Sequence, residues 1–224
     1  MSDDGITDGI GIVLAPHYSR MSIGTYIAAA ETARGQLARP LEVRYVARWG
    51  DHPSYLDAVA DRLRAALAPL PEDERAQTGV IFTAHSLPER ILTWQDTYPE
   101  ELHRSAAAVA ERVGVAAWRF AYQSAGRTSD PWLGPDVKDV LRDMHESGAR
   151  TVAACSVGFV ADHLEVRYDL DIEAAALARQ LNVRFLRAES LNDHPLLIDA
   201  LADLVQHHAV PPSPEIVSSA GRRH

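Results

Sequence analysis

Short apolar runs alternate with amphipathic segments along most of the chain, and this alternation limits the possible folds more than any other feature. Six apolar runs predict strands at residues 9–15, 41–47, 79–84, 118–123, 151–157 and 183–187. Helical periodicity predicts helices at residues 22–37, 53–70, 99–113, 135–147, 161–181 and 195–207. Runs that are apolar on both faces, such as GVIFTA, indicate strands covered by helices on both sides. This alternation predicts parallel sheets with right-handed crossovers.

The polar segment PLPEDERAQ, at residues 69–77, is the best junction between two halves of the chain. We therefore expect an α/β protein with two Rossmann-like parallel-sheet halves, at residues 1–70 and 78–190. The helix at 195–208 is expected to pack on the first half. Residues 211–224 have the composition of a disordered tail. The first half contains only two predicted strands, so we expect its sheet to be incomplete.

Composition excludes several classes of function. The net charge of -9 argues against nucleic-acid binding, which needs clustered basic residues. No apolar run approaches the ~20 residues of a membrane span, so we expect no transmembrane segment. The single cysteine, Cys155, allows no internal disulfide and too few ligands for an iron–sulfur cluster. These features favour a cytoplasmic location.

Candidate functional residues follow three of the predicted strands. His17 follows the first strand, His85 and Ser86 follow the third, and Glu165 lies beyond the fifth. Ligands bind at the carboxyl ends of the strands in open parallel sheets, so these side chains are candidates for one site. Each histidine also has an ordinary explanation as a hydrogen-bonded loop residue.

An acidic stripe is predicted on the helix that follows the fifth strand. At 100° per residue, Asp162, Glu165, Asp169 and Glu173 fall on one face. Like charges four residues apart destabilise a helix, and the one nearby basic residue, Arg167, lies on another face. The stripe is either a solvated acidic face or an open path for a divalent cation. Imidazole and carboxylate ligands together suit Fe²⁺ or Zn²⁺.

A long loop rich in turn-forming residues, YQSAGRTSDPWLGPDV, occupies residues 122–137. It carries the hydroxyl groups of Ser124 and Thr128 and the indole of Trp132, and loops of this kind at strand ends tend to bind ligands. The sequence contains no GxGxxG or P-loop fingerprint, and Ser86 lacks the GxSxG elbow. A nucleotide-binding protein and a serine hydrolase are therefore disfavoured.

Four motifs, APHYS, AHSLPE, YQSAGRTSDPWLGPDV and GFVADHLEVRYDLDIE, occur in this order and together resemble the ferrochelatase family. The resemblance extends over about residues 4–205 and is closest to the bacterial form that acts on coproporphyrin III. It implies a chelatase-type fold and an enzyme, a lyase of haem biosynthesis, that inserts Fe²⁺ into a porphyrin. Coproporphyrin III is the expected substrate, with protoporphyrin IX as the other possibility.

The resemblance also implies roles for individual residues. His85 matches the catalytic histidine, and Glu165 matches the carboxylate that faces it. Metal binding is implied for the histidines and acids of the motifs, namely His17, His85, Glu165, Asp169 and Glu173. Contact with the porphyrin is implied for Ser86, Gln123, Ser124, Thr128 and Trp132. Fe²⁺ is a substrate in this family, no further cofactor is expected, and a transient haem-accepting partner is possible.

The resemblance leaves one difference and two alternatives. Members of the family have further chain in front of the position that matches Gly9, so we expect the N-terminal half to lack part of its sheet and its porphyrin contacts. One alternative is a cobalt or nickel chelatase that acts on sirohydrochlorin, although the loop containing Trp132 counts against it. The other alternative is a shortened, non-catalytic fragment that binds metal or tetrapyrrole.

Overall fold

Two parallel sheets form the framework of the chain. The structure, a computed structural model, describes residues 1, 4–126 and 128–209. The first sheet pairs β1 (Asp8–Ile12) with β2 (Glu42–Val46). The second sheet has the order β4-β3-β5-β6 and is parallel throughout. Its strands are β3 (Gly79–His85), β4 (Trp118–Gln123), β5 (Thr151–Cys155) and β6 (Arg184–Arg187).

Helices connect the strands and cover both faces of the second sheet. In chain order they are α1 (Ile23–Arg34), α2 (Pro53–Leu67), α3 (Glu72–Gln77), α4 (Arg90–Thr93), α5 (Tyr98–Val113), α6 (Val137–Glu146), α7 (Leu164–Val166), a π-helix (Arg167–Ala174), α8 (Ala175–Gln180) and α9 (Pro195–Ala209). In the described part of the chain, no helix is long and apolar enough to cross a membrane.

The burial of β3 explains its apolar sequence. Val80 and Phe82 pack into one apolar cluster, which also contains Val46 and Trp49 from the first part of the chain. Ile81 points into a second cluster on the opposite face of the sheet. A strand that is covered on both faces needs apolar residues at consecutive positions. The predicted α/β fold with Rossmann-like parallel sheets is confirmed.

The division into two halves stays a prediction. Helix α9 contacts α2 and both strands of the first sheet, which agrees with the predicted packing of this segment. The apolar cluster around α2 nevertheless includes residues from both sheets, so the two parts share a core. The predicted disordered tail at residues 211–224 lies outside the described residues.

The predicted helix at 161–181 is wrong in its start and in its geometry. The backbone N–H of Asp162 donates to the Asn192 side chain, and His163 is extended, with φ -143° and ψ 178°. These features hold the chain outside the helix until Leu164. From Arg167 to Ala174 the helix is of the π type, in which hydrogen bonds join residues five apart. The rotation of 100° per residue therefore does not apply to the acidic stripe.

Candidate functional site

The carboxyl ends of neighbouring strands bring His85 and Glu165 together. His85 is the last residue of β3, and Glu165 lies in the helical turn that follows β5. The Nε2 atom of His85 is 3.6 Å from Oε2 of Glu165. The two side chains are 33% and 53% exposed, so the pair is open to solvent on one side. The sequence pattern placed both residues at the carboxyl ends of strands, and the family resemblance implied that they face each other.

The orientation of the His85 ring is set by its own loop. Nδ1 is hydrogen-bonded to the backbone carbonyl of Ser86, which can only accept, so Nδ1 carries a proton. The Tyr98 hydroxyl donates to the His85 carbonyl at 3.0 Å. In the neutral ring, the free lone pair of Nε2 then faces the Glu165 carboxylate. The Nε2 lone pair and the carboxylate oxygens are therefore available to one metal cation.

Asp169 and Glu173, one turn and two turns further along the helix, have partners from other elements. The Asp169 carboxylate accepts a hydrogen bond from Nε2 of Gln123 at 3.3 Å and another from the Ser124 hydroxyl. Glu173 accepts from the Lys138 ammonium at 2.7 Å. That hydrogen bond raises the pKa of Lys138, while partial burial acts in the opposite direction. Glu173 is therefore held by a protein cation, which the sequence of its own helix did not reveal.

Asp162 does not belong to this acidic line. Its carboxylate lies 2.9 Å from Nη1 of Arg187 and 3.5 Å from Nη2 of Arg167. Nε of Arg187 is also bonded to Asp171 at 2.6 Å. These pairs hold the start of the helix against β6. The predicted stripe of four carboxylates thus reduces to Glu165, Asp169 and Glu173.

A polar cleft of about 260 Å³ adjoins the acidic line. Lys138, Asp169 and Glu173 line it together with Gln123 and Ser124. Gln123 is buried, and its amide oxygen has no hydrogen-bond partner in the part of the chain that the structure describes. Among the described residues, no three His, Cys, Asp or Glu side chains are close enough to form a closed metal site. The arrangement is an open row of oxygen ligands.

Comparisons with known proteins identify the family. A protein-family model described as ferrochelatase matches residues 1–209. The chain belongs to the ferrochelatase family. It is 44% identical over 202 residues to the ferrochelatase of Herpetosiphon aurantiacus, covering 90% of this chain and 66% of that protein. It is 45% identical over 206 residues to the coproporphyrin III ferrochelatase of Geobacillus kaustophilus, covering 92% of this chain and 65% of that one.

This member of the ferrochelatase family spans about two thirds of the length of these curated relatives. Its fold is similar to that of the solved structure of SirB from Bacillus subtilis with Fe³⁺, with a TM-score of 0.64 and 14% identity. That match covers 93% of this chain and 74% of SirB. At this level of identity the likeness concerns the fold alone. The predicted resemblance to ferrochelatases is confirmed by the family match.

In this ferrochelatase-family chain, His17 is buried, and among the described residues it forms no three-ligand metal group with His85 and Glu165. It is 2% exposed, and its Nε2 is 2.8 Å from the Ser105 hydroxyl. Ser105 lies about 10 Å along α5 from Tyr98, the residue that contacts His85. Burial and the charge of Arg104 lower the pKa of His17 to about 3, so the ring is neutral. The assignment of His17 as a metal ligand stays a prediction.

The side chains expected to contact the porphyrin are bonded to other parts of the protein: Gln123 and Ser124 donate to Asp169, and the others hold the loop at residues 122–137. The buried Ser86 hydroxyl donates to the Leu133 carbonyl at 2.7 Å. Nε1 of Trp132 donates to the Thr128 hydroxyl at 2.9 Å, and the indole lies directly over Gly126. These contacts hold the half-buried Trp132 side chain within the loop. The role of the loop in binding stays a prediction.

Proposed function

We propose that this chain carries out the insertion of ferrous iron into a porphyrin, with coproporphyrin III as the substrate, as a step in haem synthesis. The proposal rests mainly on one observation: His85 and Glu165 face each other at 3.6 Å beside an open row of carboxylates. The family match and the curated coproporphyrin III ferrochelatases among its relatives support the choice of substrate.

The chemistry requires the porphyrin to lose two pyrrole protons as Fe²⁺ enters. A positioned base that is effective near neutral pH is needed, and histidine is the side chain best suited to this task. Since Nδ1 of His85 is held by the Ser86 carbonyl, Nε2 is the atom that accepts the pyrrole protons. It takes them one at a time, and because the pair is open to solvent, the first proton passes to water before the second is accepted. The Glu165 carboxylate stabilises the imidazolium that results.

Iron delivery follows from the same row of acids. Hydrated Fe²⁺ must exchange its water ligands, and carboxylates arranged in sequence can replace them one at a time. Glu173, Asp169 and Glu165 supply such oxygens in an open arrangement, which binds a cation weakly enough to release it. Iron is therefore a substrate in this proposal, and no resident cofactor or iron–sulfur cluster takes part.

An insertion assay tests the proposal. The purified chain is incubated without oxygen with Fe²⁺ and coproporphyrin III, in parallel with protoporphyrin IX, and with Co²⁺ and sirohydrochlorin. We expect metal insertion into coproporphyrin III above the rate of the His85→Ala variant. Preferred insertion into sirohydrochlorin would instead identify the alternative chelatase.

The assay is repeated with the chain fused to the part of the Geobacillus kaustophilus relative that the match does not cover. Absence of insertion by both folded proteins would contradict the proposal. Binding of porphyrin without insertion would favour a non-catalytic binding module. The cytoplasmic location and the haem-accepting partner stay predictions.

A further inference from the structure

Lys138 is the only lysine in a chain with 22 basic residues, all the others being arginine. It lies in the first turn of α6, and its backbone N–H donates to the Asp136 carboxylate that caps this helix. Its side chain reaches across to the π-helix, where Nζ is 2.7 Å from Oε2 of Glu173. The one ammonium side chain of the protein is therefore placed on the acidic line.

The surroundings of Lys138 contain more oxygen acceptors than donors. Asp169 receives one amide and one hydroxyl hydrogen bond, and Glu173 receives the ammonium. The buried amide oxygen of Gln123 has no hydrogen-bond partner among the described residues, although buried acceptors in folded proteins are nearly always satisfied. Because Gln123 lines the cleft together with Asp169 and Glu173, its amide oxygen is a candidate ligand for a cation there. This observation is independent of the acidic line itself.

The difference between lysine and arginine matters at this position. An arginine opposite Glu173 would form a planar, two-pronged pair with its carboxylate. A lysine ammonium is a single hydrated charge on a flexible stem, and it can leave its partner without losing a fixed geometry. The pair is about one third exposed, which places it in the range of weak surface ion pairs. Such a contact holds Glu173 in place and yields readily to a divalent ion.

We propose that Lys138 is a placeholder cation: its ammonium group pairs with Glu173 until a divalent metal ion displaces it. Glu173 is the member of the acidic line farthest along the chain from His85. This inference rests on the proposed function. The ammonium keeps the carboxylates from repelling one another when no metal is bound. It also competes with the metal, so it determines the concentration at which the line is filled. When the metal ion moves on toward Glu165, Lys138 pairs with Glu173 again, and its positive charge opposes the return of the ion to Glu173.

A single lysine makes the displacement directly observable. Reductive methylation with ¹³C-formaldehyde labels Lys138 and the N-terminal amine and preserves their positive charges. During a titration of the full chain with Zn²⁺, we expect the Lys138 signal to shift with the same midpoint as the binding heat. The N-terminal amine, paired with Asp4, serves as the internal control and should not follow it. In Glu173→Gln, the Lys138 signal should start near its displaced position.

Two variants of Lys138 test whether its ammonium group competes with Zn²⁺ for Glu173. Lys138→Gln removes the charge, and we expect Zn²⁺ to bind roughly two- to fivefold more tightly, since exposed ion pairs are worth at most about one kcal/mol. Lys138→Arg keeps a charge in a more rigid pair and should bind Zn²⁺ no more tightly than the wild type. If the Lys138–Glu173 ion pair only connects α6 to the π-helix, these variants should change the thermal stability without tightening metal binding.

The outcomes separate this inference from the proposed function. Zn²⁺ binding without any shift of the Lys138 signal, or without tighter binding in Lys138→Gln, would overturn the placeholder role and leave iron insertion standing. Displacement of Lys138 by Zn²⁺ in a chain that inserts no metal would support the placeholder role and refute the proposed function. Failure of Zn²⁺ to bind to the wild type and to Lys138→Gln would overturn the inference.

Discussion

Nε2 of His85 lies 3.6 Å from Oε2 of Glu165, although the two residues come from different strand–helix units. His85 ends β3, and Glu165 follows β5, the strand that pairs directly with β3. Strand pairing brings the two strand ends together, and the contacts of Asp162 with Asn192 and Arg187 hold the start of the turn that carries Glu165. A site built in this way remains in position without a bound ligand, which leads to specific expectations for its variants.

His85→Ala should abolish detectable metal insertion, because Nε2 is the only ring nitrogen free to accept a pyrrole proton. General-base catalysis contributes roughly 10²–10⁴-fold to a rate, so a loss of this size is expected. Initial rates of Zn²⁺ insertion into coproporphyrin III measure it, and circular dichroism checks the fold. His207→Ala removes an exposed imidazole far along α9 and should keep the wild-type rate. A His85→Ala protein with half the normal rate would exclude this role.

Glu173→Gln combined with Asp169→Asn should raise the apparent KM for the metal and leave kcat nearly unchanged. Both carboxylates belong to the line that supplies the ion, and neither contacts His85 in the structure. We expect a rise of roughly tenfold, which corresponds to about 1.4 kcal/mol of binding free energy. The measurement is the insertion rate as a function of Zn²⁺ concentration.

The matched control for this pair is Asp171→Asn. Asp171 lies in the same π-helix, but its carboxylate is bonded to Arg187 on the other side. Its removal should leave the KM for the metal at the wild-type value. An equal rise in KM for the control and the double variant would show that general surface charge, and not the line, attracts the ion.

Local patterns in the sequence predicted the sheets and placed His85 and Glu165 at neighbouring strand ends, and the family resemblance implied that the two side chains face each other. Strands that are apolar on both faces predict parallel pairing, and parallel pairing places strand ends side by side. The partners of the acids were missed because Lys138 lies 35 residues from Glu173, and Arg187 lies 25 residues from Asp162. A helical projection shows only the residues of one helix, so it cannot reveal ion-pair partners that come from other elements. The π-helix was missed for the related reason that hydrophobic periodicity assumes ordinary helical geometry.

Gly126→Ala should disturb the loop that is proposed to contact the porphyrin. A Cβ atom at this position would lie 2.2 Å from Cζ2 of Trp132, so the indole must move and lose its bond to Thr128. Overpacking of this kind costs about 1–3 kcal/mol. We expect a lower free energy of unfolding and weaker binding of coproporphyrin III, measured by urea denaturation and by porphyrin fluorescence.

Gly35→Ala is the control for the glycine substitution, because its new methyl group would make only ordinary contacts of 3.6 Å. It should change neither the free energy of unfolding nor porphyrin affinity by a comparable amount. If Gly126→Ala loses stability but binds coproporphyrin III as tightly as the wild type, the Trp132 loop is a structural element and does not contact the substrate.

His17 should make the fold sensitive to acid, since burial, together with the charge of Arg104, lowers its pKa from 6.5 to about 3. Between these two pH values the unfolded chain binds a proton that the folded chain does not. The free energy of unfolding therefore falls as the pH drops through this range, by about 1.4 kcal/mol per pH unit from this one group. A neutral replacement, His17→Gln, can keep a hydrogen bond to Ser105 and should remove this part of the slope.

Urea denaturation of the wild type, His17→Gln and His207→Gln at about pH 7 and about pH 5.5 measures the effect. The wild type should lose about 1.3 kcal/mol more than His17→Gln over this interval, and the comparison cancels the contribution of the other titrating groups. His207→Gln, which replaces an exposed ring, should follow the wild type. Equal slopes for all three proteins would mean that His17 takes up its proton in the folded state, and the ring would then be open to solvent or to a cation.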